Sequence, residues 1–247
     1  MSIYSLARQT LEHLWRGMAS PRVGHVRVFV TGFGPFAEAE VNPTQTLVES
    51  LDTGSSFGAS GSGRLEDCYV VPVDCKDATD KVARLRFSAE ATTEESKSAS
   101  HTTVVMLHLG VFSSAREFRV ERSAFNEATF RFPDASGRQP QGEPISADED
   151  VGCCLRTTLD VDTVVNTLRA KCHPCAVSDD PGRYLCNWIY WLSLRTANAF
   201  NANGAPKESG KTIRSLFVHT PPFDVVDFET QKTFLNDLIH AVVDTCS

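Results

Sequence analysis

No stretch of this 247-residue chain approaches the roughly 20 consecutive apolar residues that a membrane-spanning helix requires. Positive charge is scarce: 24 Lys and Arg stand against 31 Asp and Glu, a formal net charge of −7. The basic residues are scattered, which argues against nucleic acid or an anionic membrane as partner. The G-x-S-x-G elbow, the P-loop and the H-E-x-x-H zinc helix are all missing. Gly32-Phe33-Gly34 lacks the later glycine of a dinucleotide fingerprint, so no cofactor is expected. No secretory signal is visible. The eight cysteines therefore read as mostly free thiols in a reducing compartment, and a cytoplasmic location is expected.

What is present is an ordinary globular composition, 41% hydrophobic and 22% charged. Residues 1–25 precede the first convincing strand and read as an extension with a weak amphipathic pattern; Glu12 counts against a mitochondrial presequence. From 26 onward strand and helix patterns alternate. Strands are expected at 26–30, 69–73, 104–110, 175–177 and 215–219. Helices are expected at 43–51, with Asn42 as cap and Pro43 at the first position, and at 77–89, 160–171, from 184 onward and at 231–244. The segments 54–63 and 91–100 read as surface loops, and 132–150 as a long polar segment of the kind that forms lids. The expected fold is a single α/β domain over 26–247 with a mostly parallel central sheet. Sites in such sheets form beyond the carboxyl ends of the strands. Residues 33–36, Gly110 onward, the turn before Cys186, and His219 are all expected there.

Cys186 lies in Pro181-Gly182-Arg183-Tyr184-Leu185-Cys186-Asn187, between a short strand and a helix apolar on nearly every side. Unpaired backbone N–H groups and the helix dipole at such a start favour a thiolate. If Asp180 is the cap, Cys186 falls in the second turn; if 179–182 form a tight turn, it falls in the first. A free cysteine in this setting is by itself more often a packing residue. His219 ends a strand, followed by Pro221-Pro222. A thiol, a histidine and a carboxylate are the parts of a cysteine nucleophile with its base and orienting acid. Glu121 is one candidate carboxylate, though a surface ion pair with its arginine neighbours is the plainer reading. His108, inside a strand, reads as a core residue.

Cys172-His173-Pro174-Cys175 raises a zinc or redox alternative. The order helix, motif, strand is wrong for a thioredoxin-type site, and the adjacent Cys153-Cys154 is an awkward partner for a metal. A nucleoside-phosphorylase-like enzyme on a similar sheet is a further alternative, but no phosphate-binding loop supports it.

Several motifs together resemble the pyroglutamyl peptidase I family of cysteine peptidases. They are Val30-Thr31-Gly32-Phe33-Gly34-Pro35-Phe36 followed by Asn42-Pro43, then His108-Leu109-Gly110-Val111 with Glu121-Arg122 and Asn126. Arg131 before Pro133-Asp134, the Pro181 to Asn187 segment with Tyr190, and Phe217-Val218-His219 with Pro221-Pro222 complete the match. The resemblance implies an α/β/α sandwich and release of N-terminal pyroglutamate from peptides, without a metal. It implies Cys186 as nucleophile, His219 as general base and acid, and Glu121 as the group that orients His219. Phe33, Phe36, Asn42 and Arg131 are the implied substrate-binding residues. The family contains monomers and tetramers, so the oligomeric state stays open. Pro181 and Val111 depart from the family's usual alanine and, in many bacterial members, glutamine.

Overall fold

The structure, a computed structural model, describes residues 24–36, 42–59, 61–91, 101–204, 206 and 209–246. The amphipathic extension before residue 24 and nearly all of the loop read at 91–100 lie outside them. Along the chain, β1 (His25–Phe33) leads to α1 (Pro43–Glu49), β2 (Ser56–Phe57), β3 (Gly63–Val71), α2 (Cys75–Glu90) and β4 (Thr102–Val111). Five short strands follow: β5 (Phe118–Glu121), β6 (Ser123–Phe125), β7 (Ala128–Thr129), β8 (Gln141–Glu143) and β9 (Cys154–Arg156). Then come α3 (Val161–Ala170), β10 (Cys175–Ser178), α4 (Leu185–Ala202), β11 (Lys211–Thr220) and α5 (Phe228–Cys246).

The main sheet has the order β10-β5-β11-β4-β1-β3-β2. β11, β4, β1 and β3 run parallel; β1, β4 and the second half of β11 are buried on both faces, which is why they read as near-continuous apolar runs, whereas β3 alternates and is only partly buried. Alternate residues feed two layers. Val28, Val30, Leu107 and Leu216 pack with Leu47 of α1, Val164 of α3 and Phe234 of α5. On the other face, Phe217 packs with Ala78 of α2 and Trp188 of α4, while Phe29 and Met106 join Leu85 and Ala197. The result is the expected α/β/α sandwich.

Three local readings need correction. Strand β1 starts at His25, one residue inside the segment read as an extension. The glycine- and serine-rich 54–63 segment is not simply a surface loop. Phe57 is buried, pairs in β2 against β3 and packs on the His240 ring, because one aromatic outweighs the polar residues around it. β10 runs parallel to β5, and β5 runs antiparallel to β11. The strand before Cys186 therefore points away from the rim where β1, β4 and β11 end, and residues 179–184 must bring the chain back.

Asn42 caps α1, its Oδ1 accepting from Thr44 N at 3.0 Å, with Pro43 at the first position as expected. The Thr44 hydroxyl in turn accepts from Phe33 N at 3.0 Å and donates to Phe33 O at 3.3 Å. This locks α1 to the end of β1. The contact needs Gly32, where an added Cβ would lie 2.4 Å from the Thr44 carbonyl oxygen. That neighbour is backbone and cannot rotate aside. Gly32→Ala is therefore expected to destabilise the fold by about 1–3 kcal/mol, read as a lower urea midpoint at unchanged slope. An unchanged midpoint would show that α1 shifts freely on the sheet.

Candidate active site

On β5, Phe118 and Val120 enter the core beneath α3 and α5, so alternation turns Glu121 to the opposite face. Glu121 pairs across with Phe217 of β11, and His219 is the diagonal neighbour on the same face. Their side chains meet there: His219 Nδ1 lies 2.8 Å from Glu121 Oε1, and both groups are buried. Tyr190 of α4 donates its hydroxyl to the Glu121 backbone carbonyl at 2.8 Å, fixing the strand end. The surface ion pair considered for Glu121 belongs instead to Arg122, whose Nη2 meets Asp162 at 2.8 Å.

The α4 helix starts at Leu185, so Cys186 is in its first turn, and Tyr184 as N-cap supplies no side-chain acceptor. The first-turn N–H groups are thus uncapped beside the sulfur. The Cys186 sulfur lies close enough to the His219 imidazole to act on its pKa; with Nδ1 held by Glu121, the nitrogen left to face it is Nε2. Burial pushes the imidazole pKa down. The Cys186 sulfur, through charge and hydrogen bond, and the Glu121 carboxylate outweigh it and bring the value up to about 9 from 6.5.

Two features hold the helix start against the sheet. Gly110 pairs with His219 in register, and a Cβ there would lie 2.8 Å from Cys186 Sγ and 2.7 Å from Phe217 Cζ. A glycine at the end of a buried strand is the sequence sign of such a close approach. Two turns along α4, the Ser193 hydroxyl sits 2.9 Å from His108 Nε2, whose Nδ1 lies 2.7 Å from the Thr31 hydroxyl. Burial pushes the His108 imidazole down to about 3, so it is neutral, and it ties α4 to β4 and β1. It is the satisfied core histidine its sequence position suggests.

A cleft of about 510 Å³ is lined by Pro35, Phe36, Phe132, Pro133, Asp134 and Ala135, and none of Cys186, His219 and Glu121 is in its lining. Tyr184 joins it to the thiol. Its ring packs on Phe36 at 5.7 Å and its hydroxyl reaches Pro133 O at 3.4 Å, two residues before Cys186. The Asp134 carboxylate is buried, which would raise its pKa. Hydrogen bonds from Cys75 N, Ser136 and Arg138 N outweigh this and hold it down to about 2. The cleft wall of the 132–150 segment is thereby pinned to the start of α2, more firmly than a free lid. Phe33 is not in the lining; it is buried behind, in the apolar cluster that Phe36, Tyr184 and Cys186 pack against. Asn42 reaches the site through Thr44 and Phe33. Arg131 is exposed, and among the described residues its side chain makes no hydrogen bond or ion pair with Cys186, His219 or Glu121. In the C-x-x-C stretch Cys175 is buried and Cys172 exposed. Among the described residues no group of three or more His, Cys, Asp or Glu could hold a metal.

The model of the family described as pyroglutamyl peptidase matches residues 26–230. The chain belongs to the pyroglutamyl peptidase family. Among its relatives, the pyrrolidone-carboxylate peptidase of Thermococcus litoralis is 31% identical over 195 residues, 79% of this chain and 76% of that one. That of Pyrococcus furiosus is 29% identical over 204 residues, 82% and 85% of the two chains. The solved pyrrolidone carboxyl peptidase from Thermococcus litoralis superposes with a TM-score of 0.69 at 25% identity, covering 88% of this chain and 93% of that one. Membership leaves the phosphorylase and zinc or redox readings without support. In this pyroglutamyl peptidase Pro181 is buried, and Gly182 after it takes φ +78°. A rigid proline followed by a left-handed glycine suits the sharp return to the rim where β1, β4 and β11 end.

The His219 ring is expected to titrate with a midpoint near 9, followed by nitrogen-15 NMR. Removing a negative neighbour disfavours the imidazolium, so the midpoint must fall in Glu121→Gln and fall in Cys186→Ser. A midpoint near the ordinary 6.5 in the unaltered protein would mean the three groups do not interact as described.

Proposed function

We propose that this pyroglutamyl peptidase releases N-terminal pyroglutamate from peptides through Cys186 as nucleophile, His219 as general base and acid, and Glu121 as the residue that orients His219. The observation that carries the reading is the buried 2.8 Å contact of Glu121 with His219, with the Cys186 thiol on the imidazole's other side. Glu121 fixes the ring so that Nε2 faces sulfur, as the acidic member of a triad does.

The lactam ring enters the cleft beside Phe36, a flat apolar wall suited to a ring that carries no charged amine. Phe33 backs that wall, Asn42 steadies it through Thr44, and Arg131 stands at the exposed lip. Cys186 Sγ gives its proton to His219 Nε2 and attacks the carbonyl carbon that joins pyroglutamate to the next residue. A C–S bond forms, and the carbonyl electrons move to oxygen, where first-turn N–H groups of α4 receive the charge. As the tetrahedral species collapses, the C–N bond breaks and the Nε2 proton of His219 passes to the leaving amine. A water molecule, deprotonated by His219, attacks the thioester; the C–S bond breaks, and the returning proton restores the thiol. No step calls on a metal.

Blocked peptides are thus the proposed substrates. The catalytic domain is proposed to run from β1, whose first residue is His25, to 247, with the residues before it an extension. Eight unbridged cysteines are in keeping with a reducing, cytoplasmic setting. No helix among the described residues is long and apolar enough to cross a membrane.

A fluorogenic pyroglutamyl amide tests the assignment. Cys186→Ala is expected to abolish cleavage, and turnover that survives it would remove Cys186 from the mechanism. Glu121→Gln is expected to lower kcat by about 10²-fold or more with little change in KM, since it acts on the imidazole rather than the ring. A change confined to KM would make Glu121 a binding residue instead.

A further inference from the structure

β5 sends a second polar side chain to the catalytic face. Phe118 stacks on Phe234 of α5 with ring centroids 3.5 Å apart, so Arg119, like Glu121, projects to the other side. Arg119 stands directly opposite His219 in the antiparallel register and is half-buried. Its guanidinium carbon lies 4.5 Å above the Phe112 ring, and the Phe112 ring lies 5.7 Å from the His219 ring. Guanidinium, phenyl and imidazole form one file. Arg122, three residues on, is neutralised by Asp162 at 2.8 Å and Asp179 at 3.7 Å. Arg119 has no carboxylate partner among the described residues.

A cation held on an aromatic ring keeps its N–H donors in a planar fork that matches a carboxylate. Sheet order fixes which part of a substrate it meets. The cleft with Phe36 follows β1, two strands from β11 on one side, whereas Arg119 is on β5, the neighbour of β11 on the other. With the lactam in the cleft and His219 giving its proton to the leaving amine, the rest of the peptide runs toward Arg119.

From this placement we infer that Arg119 is a specificity residue for the leaving side: it binds a carboxylate carried by the segment that follows pyroglutamate. The carboxylate is either the free C-terminus of a short blocked peptide or the side chain of an acidic following residue. The inference rests on the peptidase reading above.

Four substrates test it. Pyroglutamyl-alanine against its C-terminal amide reads the terminal carboxylate. The amides of pyroglutamyl-glutamate and pyroglutamyl-glutamine read the side chain. In at least one pair the carboxylate form is expected to have a kcat/KM about tenfold higher, the size of one partly exposed charge-assisted contact. Arg119→Gln should bring that ratio close to one, and Arg119→Lys should keep its direction at reduced size. Ratios near one for both pairs in the unaltered enzyme would overturn the inference, without needing any variant to fold. So would a preference that persists undiminished in Arg119→Gln. Cleavage of none of the four would instead sink the peptidase reading, and the inference with it.

Discussion

The pairing of Glu121 with His219 is the constraint around which this structure is arranged. Taking a carboxylate and an imidazole out of water costs several kcal/mol per ion, and a buried pair often returns no more than that. The cost is raised here because Glu121 Oε2 is buried with no partner among the described residues. Stability does not account for such a pair. It gives direction: one ring nitrogen is occupied, so the other is aimed. The topology serves this end. Only an antiparallel β5 beside β11 sets Glu121 on the same face as His219 and diagonal to it.

The thiol has to be delivered to that aimed nitrogen from a different layer. Two features do so, and a third leaves donors at the sulfur. Gly110 removes the side chain that would hold the helix off the sheet, the chain of Thr31, His108 and Ser193 sets where α4 lies, and the uncapped first turn leaves donors beside sulfur. A neutral imidazole suits the middle position of that chain. It donates with one nitrogen and accepts with the other, and adds no charge beneath Cys186 and His219. The apolar cluster from Phe33 to Trp188 then keeps the cleft wall and the helix start in one rigid body.

Much of this was legible in the amino-acid pattern. The long buried strands announce themselves as β-branched runs, and α4 as a helix apolar all round, because each depends on local composition. The cap at Asn42 and the glycine at 110 are local signals as well. What escaped is what depends on partners. β5 is four residues long with two charges, and nothing in Phe118-Arg119-Val120-Glu121 tells that the carboxylate points inward. β10 is a short run whose direction comes only from pairing with β5. Phe57 among glycines and serines became a strand because a core lay within reach. The amino-acid pattern allows Cys186 in the first or the second turn, and the extended backbone of Tyr184 places it in the first.

One of eight cysteines is proposed to open the amide, and a single labelling experiment tests this most directly. A chloromethyl ketone built on the pyroglutamyl group, added at one equivalent and followed by peptide mapping, marks whichever sulfur faces the bound carbonyl. The predicted result is one label per chain on Cys186, formed much more slowly in His219→Asn. A label on another cysteine, or labelling of Cys186 at the same rate without the imidazole, would contradict it.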